Sequence, residues 1–333
     1  MTQEEGLRAG EAAGIQKTTL LVVILICAAL SVFFLNTGLL SLFYLAPLGF
    51  AVLVSGSVWL APVAAAVVNA VFCIVTRMIY PAGSVSLWMK IFYFTPLFLG
   101  FAWIMGGTHF RTAYRFVLAS AGSAVVLLIF LLGSASGFNA MFRDVAEMFS
   151  SVIISSSGSD AVRRSSLQQM LTPEKMLEAY KYILLRGGAM ISVFFMFFIN
   201  RKISLAAVWL FKKQKKDRGL AAFFAPSYTI WALSFSLAFV LLTRLLRAEI
   251  PEIIAWNVFV VCAILFLAQG AGIAIYFLSR RVSRVFINVL IILVIIIPGL
   301  NTAAVAALLL LGIAENWLPF RVPKQGEAST PGL

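Results

Sequence analysis

Five polar groups sit inside runs of otherwise apolar residues, and four of them are the candidates once Asn257, near the start of the eighth run after Trp256, is set aside. Gln269 lies at the centre of LFLAQGAGIAIYFL, Asn301 follows Pro298-Gly299-Leu300, Asn69 interrupts AAAVVNAVF, and Arg186 follows YILL and precedes Gly187-Gly188. In hydrocarbon such groups need partners, so each must face protein, water or a ligand rather than acyl chains. Three neutral amides and one cation, brought together, suit a pocket for a small polar or anionic ligand. The alternative for each amide is a hydrogen bond between helices, worth roughly 0.6 to 2 kcal/mol. For Arg186 the alternative is snorkelling to the outer head groups. Gln269 is expected to face inward onto a neighbouring helix, with Gly270 and Gly272 letting that neighbour come close.

Catalytic and metal-binding patterns are missing. The chain has no GxxxxGK[ST] phosphate loop, no GxSxG elbow and no HExxH, and its single histidine, His109, sits in a turn beside Thr108 and Arg111. No Asp or Glu falls in the middle of an apolar run, whereas proton-coupled transporters and intramembrane aspartyl proteases rely on such carboxylates. The chain is therefore expected to be no enzyme, with no catalytic residue, no metal site and no cofactor. Cys27, Cys73 and Cys262 form no CxxC pair and lie within apolar runs, as small buried hydrophobes do.

The elements that position these groups follow from composition. Of 333 residues, 62% are hydrophobic and 12% charged, and the mean hydropathy is +0.99; soluble domains carry about 25% charged residues. The bilayer is the expected solvent. A membrane span needs roughly 20 apolar residues. By that measure runs lie near 18–36, 39–55, 57–79, 88–106, 114–135, 178–200, 228–246, 253–279 and 285–313. The expected fold class is all-α, a polytopic transmembrane helical bundle of about nine spans, with eight to ten allowed by the ambiguous runs. The turns Asn36-Thr37-Gly38 and Ser55-Gly56-Ser57 make one early segment a candidate for a shallow or re-entrant element. The last run is broken at Pro298-Gly299, as one kinked span or two half-helices. Ala46-Pro47-Leu48-Gly49 is a second Pro-Gly break, and paired breaks of this kind mark discontinuous helices around transporter sites. Ala61, Ala65, Ala66 and Ala70 give the third run a small-residue packing face.

The net charge of +13 comes from basic residues at the ends of apolar runs, so anionic lipid head groups are the expected partner and nucleic acid is not. RKISLAAVWLFKKQKKDR (201–218) holds seven Lys or Arg against Asp217 alone and is expected to be cytoplasmic. With nine spans the N-terminus shares that side, giving a multi-pass protein of a cell membrane, the inner membrane in a bacterium. Residues 203–211 are apolar, with Trp209, and are read either as an interfacial helix or as part of a solvated linker. Lys212, Lys213, Lys215 and Lys216 are the candidate lipid or partner contacts. The first run is too long for a signal core and lacks a small-x-small cleavage site, so an uncleaved first span is expected.

Organisation along the chain reads as a tail at 1–17, a first bundle at 18–135, a linker at 136–177, a second bundle at 178–317 with a basic loop at 201–227, and a tail at 318–333. In the linker, Phe138, Met141, Phe142, Val145, Met148, Phe149 and Val152 recur at helical spacing, with Arg143, Asp144 and Glu147 opposite, the pattern of an amphipathic helix. On the outer face it is either a lid over a cavity or a surface helix joining two halves. Thr172-Pro173-Glu174 is a helix start.

Several segments carry a resemblance. LFLAQGAGIAIYFL (265–278), IIIPGLNTAAVAALLLLGIAENW (295–317), the closing LPFR (318–321) and the proline of FFAPSYTIWAL (223–233) resemble the YybS-like family of bacterial membrane proteins, a domain of unknown function (2232). The family motif falls here on Gly270, Pro298, Gly312, Glu315, Trp317, Phe320 and Arg321; Glu315 stands where an aspartate is usual and Pro319 replaces a second acid. The resemblance implies a remote similarity of the first half to the substrate-binding membrane subunits of energy-coupling factor transporters, which borrow an ATPase module.

Two functions follow as expectations. The first is a ligand-binding membrane subunit of a small-molecule transport system without its own ATPase, working with transport-complex partner subunits, with Gln269, Asn301, Arg186 and Asn69 lining an outward cavity. The second is a membrane scaffold or regulator that recruits a cytoplasmic partner through 201–218 and Trp317–Arg321.

Overall fold

The computed structural model describes residues 3–35, 42–79, 87–106, 112–133, 172–212, 223–282 and 300–321, with Asn139, Arg143, Glu147 and Ser151 between. Every regular element among them is helical, because a chain this apolar must close its backbone hydrogen bonds within each segment. In order they are α1 (Gln3–Leu35), α2 (Ala46–Ser55), α3 (Leu60–Ile79), α4 (Leu87–Gly106), α5 (Thr112–Gly133), α6 (Pro173–Ile183), a π turn at Leu184–Gly188, α7 (Ala189–Lys212), α8 (Thr229–Leu245), α9 (Glu249–Arg281) and α10 (Leu300–Ala314). Three helical stretches, Thr18–Leu35, Pro173–Leu210 and Glu249–Ser279, are long and apolar enough to cross a membrane.

The chain forms two compact units, Met1–Gln214 and Lys215–Leu333. The sequence reading divides it instead within 136–177. The division falls later because α7, beyond that linker, packs on α2, α4 and α5 and so belongs with the first bundle.

In the first unit α2 occupies the middle, in contact with α1, α3, α4 and α7. Its ten residues extend about 15 Å at 1.5 Å per residue, half of a roughly 30 Å hydrocarbon layer. Of the run 39–55, this piece is α-helix and Leu42-Phe43 a short 3-10 turn before it, while 39–41 lie outside the described residues. Pro47 therefore does not break a span; it sits in the first turn of α2, where its missing N–H has no carbonyl to bond. Gly56 ends the helix with φ +67° and donates its N–H to the Val52 carbonyl at 2.9 Å, a left-handed cap that glycine adopts without steric penalty. The core is aromatic: Tyr44 meets Phe94 and Phe98 edge-on at 5.7 and 5.6 Å, and Phe101 stacks obliquely on Phe197 at 5.6 Å.

Helix α3 has one packed face and one bare apolar face. Ala61, Ala65 and Asn69, four residues apart, are buried, while Val63, Val67, Val71 and Val75 on another face are about half exposed. A small-residue stripe turned inward and β-branched residues turned outward invert nothing that a bilayer requires, whereas water would penalise so much bare apolar surface.

Helix α7 corrects the reading of 201–227 as a loop. The helix continues to Lys212, and Asn200, Ser204 and Val208 on one of its faces are buried. Within 203–210 Ser204 and Val208 turn inward while Ile203, Trp209 and Leu210 stay exposed, so the run up to Lys212 is a packed helix and not a solvated linker. Lys213, Lys215 and Lys216 lie outside the described residues. So do most of 136–171 and Pro298; of the amphipathic linker, Asn139, Arg143, Glu147 and Ser151 are helical and exposed, with an Arg143–Glu147 ion pair at 3.0 Å. Thr172 caps α6 as its sequence suggests, accepting the Lys175 N–H at 3.4 Å.

The second unit is built on α9, which packs along both α8 and α10. Leu233, Cys262 and Phe266 form its buried centre, with Phe259, Leu309 and Ile313 around them. α10 is described from Leu300 on, and the break expected at Pro298-Gly299 lies outside the described residues.

Candidate functional site

Gln269 projects from α9 into the second unit and is 2% exposed. Its Oε1 accepts the Ala225 N–H at 2.7 Å, and its Nε2 donates to the Gly312 carbonyl at 3.1 Å. One amide thus ties the segment before α8 to α9 and α10. Both bonds go to backbone, so no ligand is needed to satisfy the side chain. The neighbour comes close through Gly270, as expected, but the second glycine of the crossing is Gly312 on α10. A Cβ on Gly270 would collide with the Leu308 carbonyl, and one on Gly312 with the Phe266 carbonyl. The two backbones touch at a point where only glycine fits.

Three residues further along, Glu315 is held by Arg321. Arg321 Nε donates to Oε1 at 2.7 Å and Nη2 to Oε2 at 2.5 Å, and both side chains are almost wholly buried. Nη2 also donates to the Phe223 carbonyl at 2.8 Å, and the guanidinium lies 4.0 Å over the Phe224 ring. This fork-on-carboxylate geometry fixes the Trp317–Arg321 turn against Phe223–Ala225, the segment that Gln269 grips from the other side. Trp317 and Leu318 stay exposed, at 68% and 58%. Of the motif residues, Gly270, Gly312, Glu315 and Arg321 thus meet with Gln269 in one lock, and Trp317 stands outside it.

Within the second unit Asn301 does not join Gln269; Arg186 and Asn69 belong to the first unit. Asn301 is exposed at the start of α10, where its Oδ1 accepts the N–H and hydroxyl of Thr302 at 2.7 and 3.2 Å. Eleven residues of helix, about 16 Å, separate it from Gly312. Arg186 lies in the first unit on a broken turn: its φ/ψ of −95°/41° and the φ of +107° at Gly187 are not helical. Its guanidinium covers the Tyr182 ring at 3.8 Å. Gly187 and Gly188 serve this break and leave no opening for a neighbour or ligand, since a Cβ on Gly188 would meet the chain's own Ile183 carbonyl at 2.7 Å. We expect Gly187→Ala to lower stability by about 1 to 2 kcal/mol, the penalty for an L side chain at positive φ, read as an earlier thermal unfolding midpoint in detergent. Asn69, on buried α3 surface, has the Cys73 thiol against its Oδ1 at 3.8 Å.

The first unit holds a different polar cluster, around the start of α2. Tyr44 and Leu45, the turn residues leading into it, are buried; the Leu45 carbonyl accepts the Gly49 N–H at 3.0 Å, and the groups left over need partners from side chains. The Ser31 hydroxyl on α1 donates to the Tyr44 carbonyl. Asn200 Nδ2 on α7 donates to the carbonyls of Leu42 and Met196, both at 2.8 Å. One turn on, the Ser204 hydroxyl reaches the carbonyls of Ala46 at 2.9 Å and Asn200 at 2.8 Å. Gly49 lies under Ser204, where a Cβ would strike the hydroxyl. Asn200 is 0% exposed, and its Oδ1 has no hydrogen-bond donor among the described residues.

No family model, curated protein or solved structure matches this chain. The site therefore rests on its own geometry. Asn200 and Ser204 were not among the sequence candidates because NRKISL marks the point where the sixth apolar run meets basic residues, and such a point reads as a helix end. The available signal was their four-residue spacing, which places both on one face if the helix continues.

Proposed function

We propose that this protein is a multi-pass cell-membrane protein that binds a small ligand as the membrane subunit of a transport system, without an ATPase or catalytic chemistry of its own. The observation that carries the reading is the half-length helix α2 at the centre of the first unit, with its buried lead-in held by Ser31, Asn200 and Ser204. Irregular backbone at membrane depth is tolerated where protein or a cavity surrounds it, and broken helices of this kind surround transporter sites. The resemblance to the YybS-like family, and through it to substrate-binding transport subunits, points the same way. In this reading the site lies at α2, and Gln269 holds the second unit together. Lys212, Lys213, Lys215 and Lys216 meet anionic head groups on the cytoplasmic face, and the N-terminus shares that face when α2 and its flanks complete one crossing.

The test is purification of the tagged chain from its native membranes in mild detergent, followed by mass spectrometry of the intact complex. A stoichiometric small molecule, or a co-purifying ATPase or coupling subunit, is the expected result. Protein carrying only lipid, from membranes where it is active, would overturn the reading.

A second reading, a scaffold that recruits a cytoplasmic partner, is favoured by Trp317 and Leu318, which the Glu315–Arg321 pair holds in an exposed position. It expects Trp317→Ala, or glutamine at the four lysines, to strip a protein from the purified complex. An unchanged set of partners after both changes counts against it.

A further inference from the structure

The cluster at the start of α2 leaves one buried acceptor without a donor among the described residues. Asn200 Nδ2 has two protons and spends them on Leu42 and Met196. The single proton of Ser204 faces two carbonyl oxygens, those of Ala46 and Asn200. Ser31 is committed to Tyr44. That leaves Asn200 Oδ1 buried with no donor among the described residues. Rotating the amide by 180° does not help, because it would set the oxygen against the carbonyls of Leu42 and Met196 in place of the donor they now have. A buried acceptor left in this state is destabilising by about 1 to 3 kcal/mol unless something fills its lone pairs.

We propose that this cluster binds a monovalent cation, with Asn200 Oδ1, Ser204 Oγ and the carbonyls of Leu42 and Ala46 as its oxygen ligands. The inference rests on the placing of the functional site at α2. A cation fits where a donor-rich solute does not, since it satisfies several lone pairs at once and brings no acceptor of its own. The oxygens belong to two side chains, to Leu42 before the short helix and to Ala46 at its first position, and helix-end carbonyls with neutral polar groups hold coupling ions in broken-helix proteins. No carboxylate takes part in these contacts, and neutral oxygens at low dielectric leave a doubly charged ion poorly compensated. The ion is thus expected to be singly charged and small enough to be ringed by oxygens on α2 and α7.

The experiment uses the full chain in detergent with sodium as the probe. Thermal unfolding is followed in sodium chloride, potassium chloride and N-methylglucamine chloride at equal ionic strength, together with equilibrium binding of radioactive sodium. Sodium is expected to raise the midpoint by about 3 to 5 °C over N-methylglucamine, saturating with concentration, and to bind in a ratio near one. Ser204→Ala should weaken sodium binding at least tenfold, and Asn200→Ala should abolish it. If Asn200→Ala does not fold, the wild type and Ser204→Ala decide the matter. Identical midpoints in all three salts with no saturable binding would overturn the proposal, as would an Asn200→Ala variant that still binds sodium; an ordered water at Oδ1 is then the occupant. The two readings fail separately. Sodium binding without any co-purified solute or transport subunit leaves the ion site in place and removes the transport role, while a co-purified solute without a sodium effect does the reverse.

Discussion

Replacing Gly312 with valine is expected to lower the stability of the second unit by about 2 to 4 kcal/mol, the largest effect of any single side-chain addition in it. A Cβ at that position runs into the Phe266 carbonyl, which is α9 backbone and cannot swing aside as a side chain can. The helices must separate, and forced separation of this kind is typically destabilising by about 1 to 3 kcal/mol. Separation also stretches the Gln269 to Gly312 bond, now 3.1 Å, and a helix-to-helix hydrogen bond in a membrane contributes roughly 0.6 to 2 kcal/mol. It further opens the packing of Leu309 and Ile313 on Phe266. Gly270→Val should behave alike, because its Cβ meets the Leu308 carbonyl in the reciprocal position, and the two changes together should be less than additive, since either one already parts the same backbones. Thermal unfolding in detergent measures all three. A valine at position 312 with wild-type stability would show that α9 and α10 do not touch at these glycines.

How much of this was legible in the sequence depends on the range of each signal. An amide beside glycine in an apolar run is a strong local signal, because hydrocarbon offers the amide nothing; the inward turn of Gln269 follows from those few residues. The Thr172-Pro173-Glu174 start is equally local, and the Lys175 N–H closes onto Thr172. That Gln269 and Asn301 stay apart was not legible. The two look near one another as polar interruptions, yet their separation depends on how far α10 runs before it meets α9, and hydropathy carries no such information. Arg186 and Gly187 misled for a related reason: two glycines after an arginine signal departure from ordinary helix packing without saying whether a neighbour or the chain's own backbone uses the space. The α2 cluster lay deeper still. Seeing it requires that α7 continue through a basic segment, and tertiary packing of Ser204 and Val208 decides that against the local charge pattern.

The Glu315–Arg321 pair gives the second large expectation, and it separates two meanings of a buried ion pair. Arg321→Met should destabilise the second unit by about 3 to 5 kcal/mol, because it leaves the Glu315 carboxylate buried without its partner. Glu315→Leu should be harmful for the mirror reason. The double variant Glu315→Leu/Arg321→Met should recover much of the loss, since apolar side chains of similar volume often replace a buried pair at little penalty. Recovery should stop short of wild type by about 1 to 2 kcal/mol. Arg321 also donates to the Phe223 carbonyl at 2.8 Å and covers the Phe224 ring, and a charge-assisted bond of that type contributes roughly 1.5 to 3 kcal/mol, partly offset here by the apolar contact of methionine on the same ring. A double-mutant cycle on unfolding in detergent reads the three quantities. If the double variant is as unstable as the worse single one, the pair matters chiefly as the bracket that holds Phe223–Ala225 against Trp317–Arg321, and the scaffold reading gains. Full recovery to wild type means that the carboxylate needs only a neutralising neighbour, and that the position of Trp317 is set by the helix end alone.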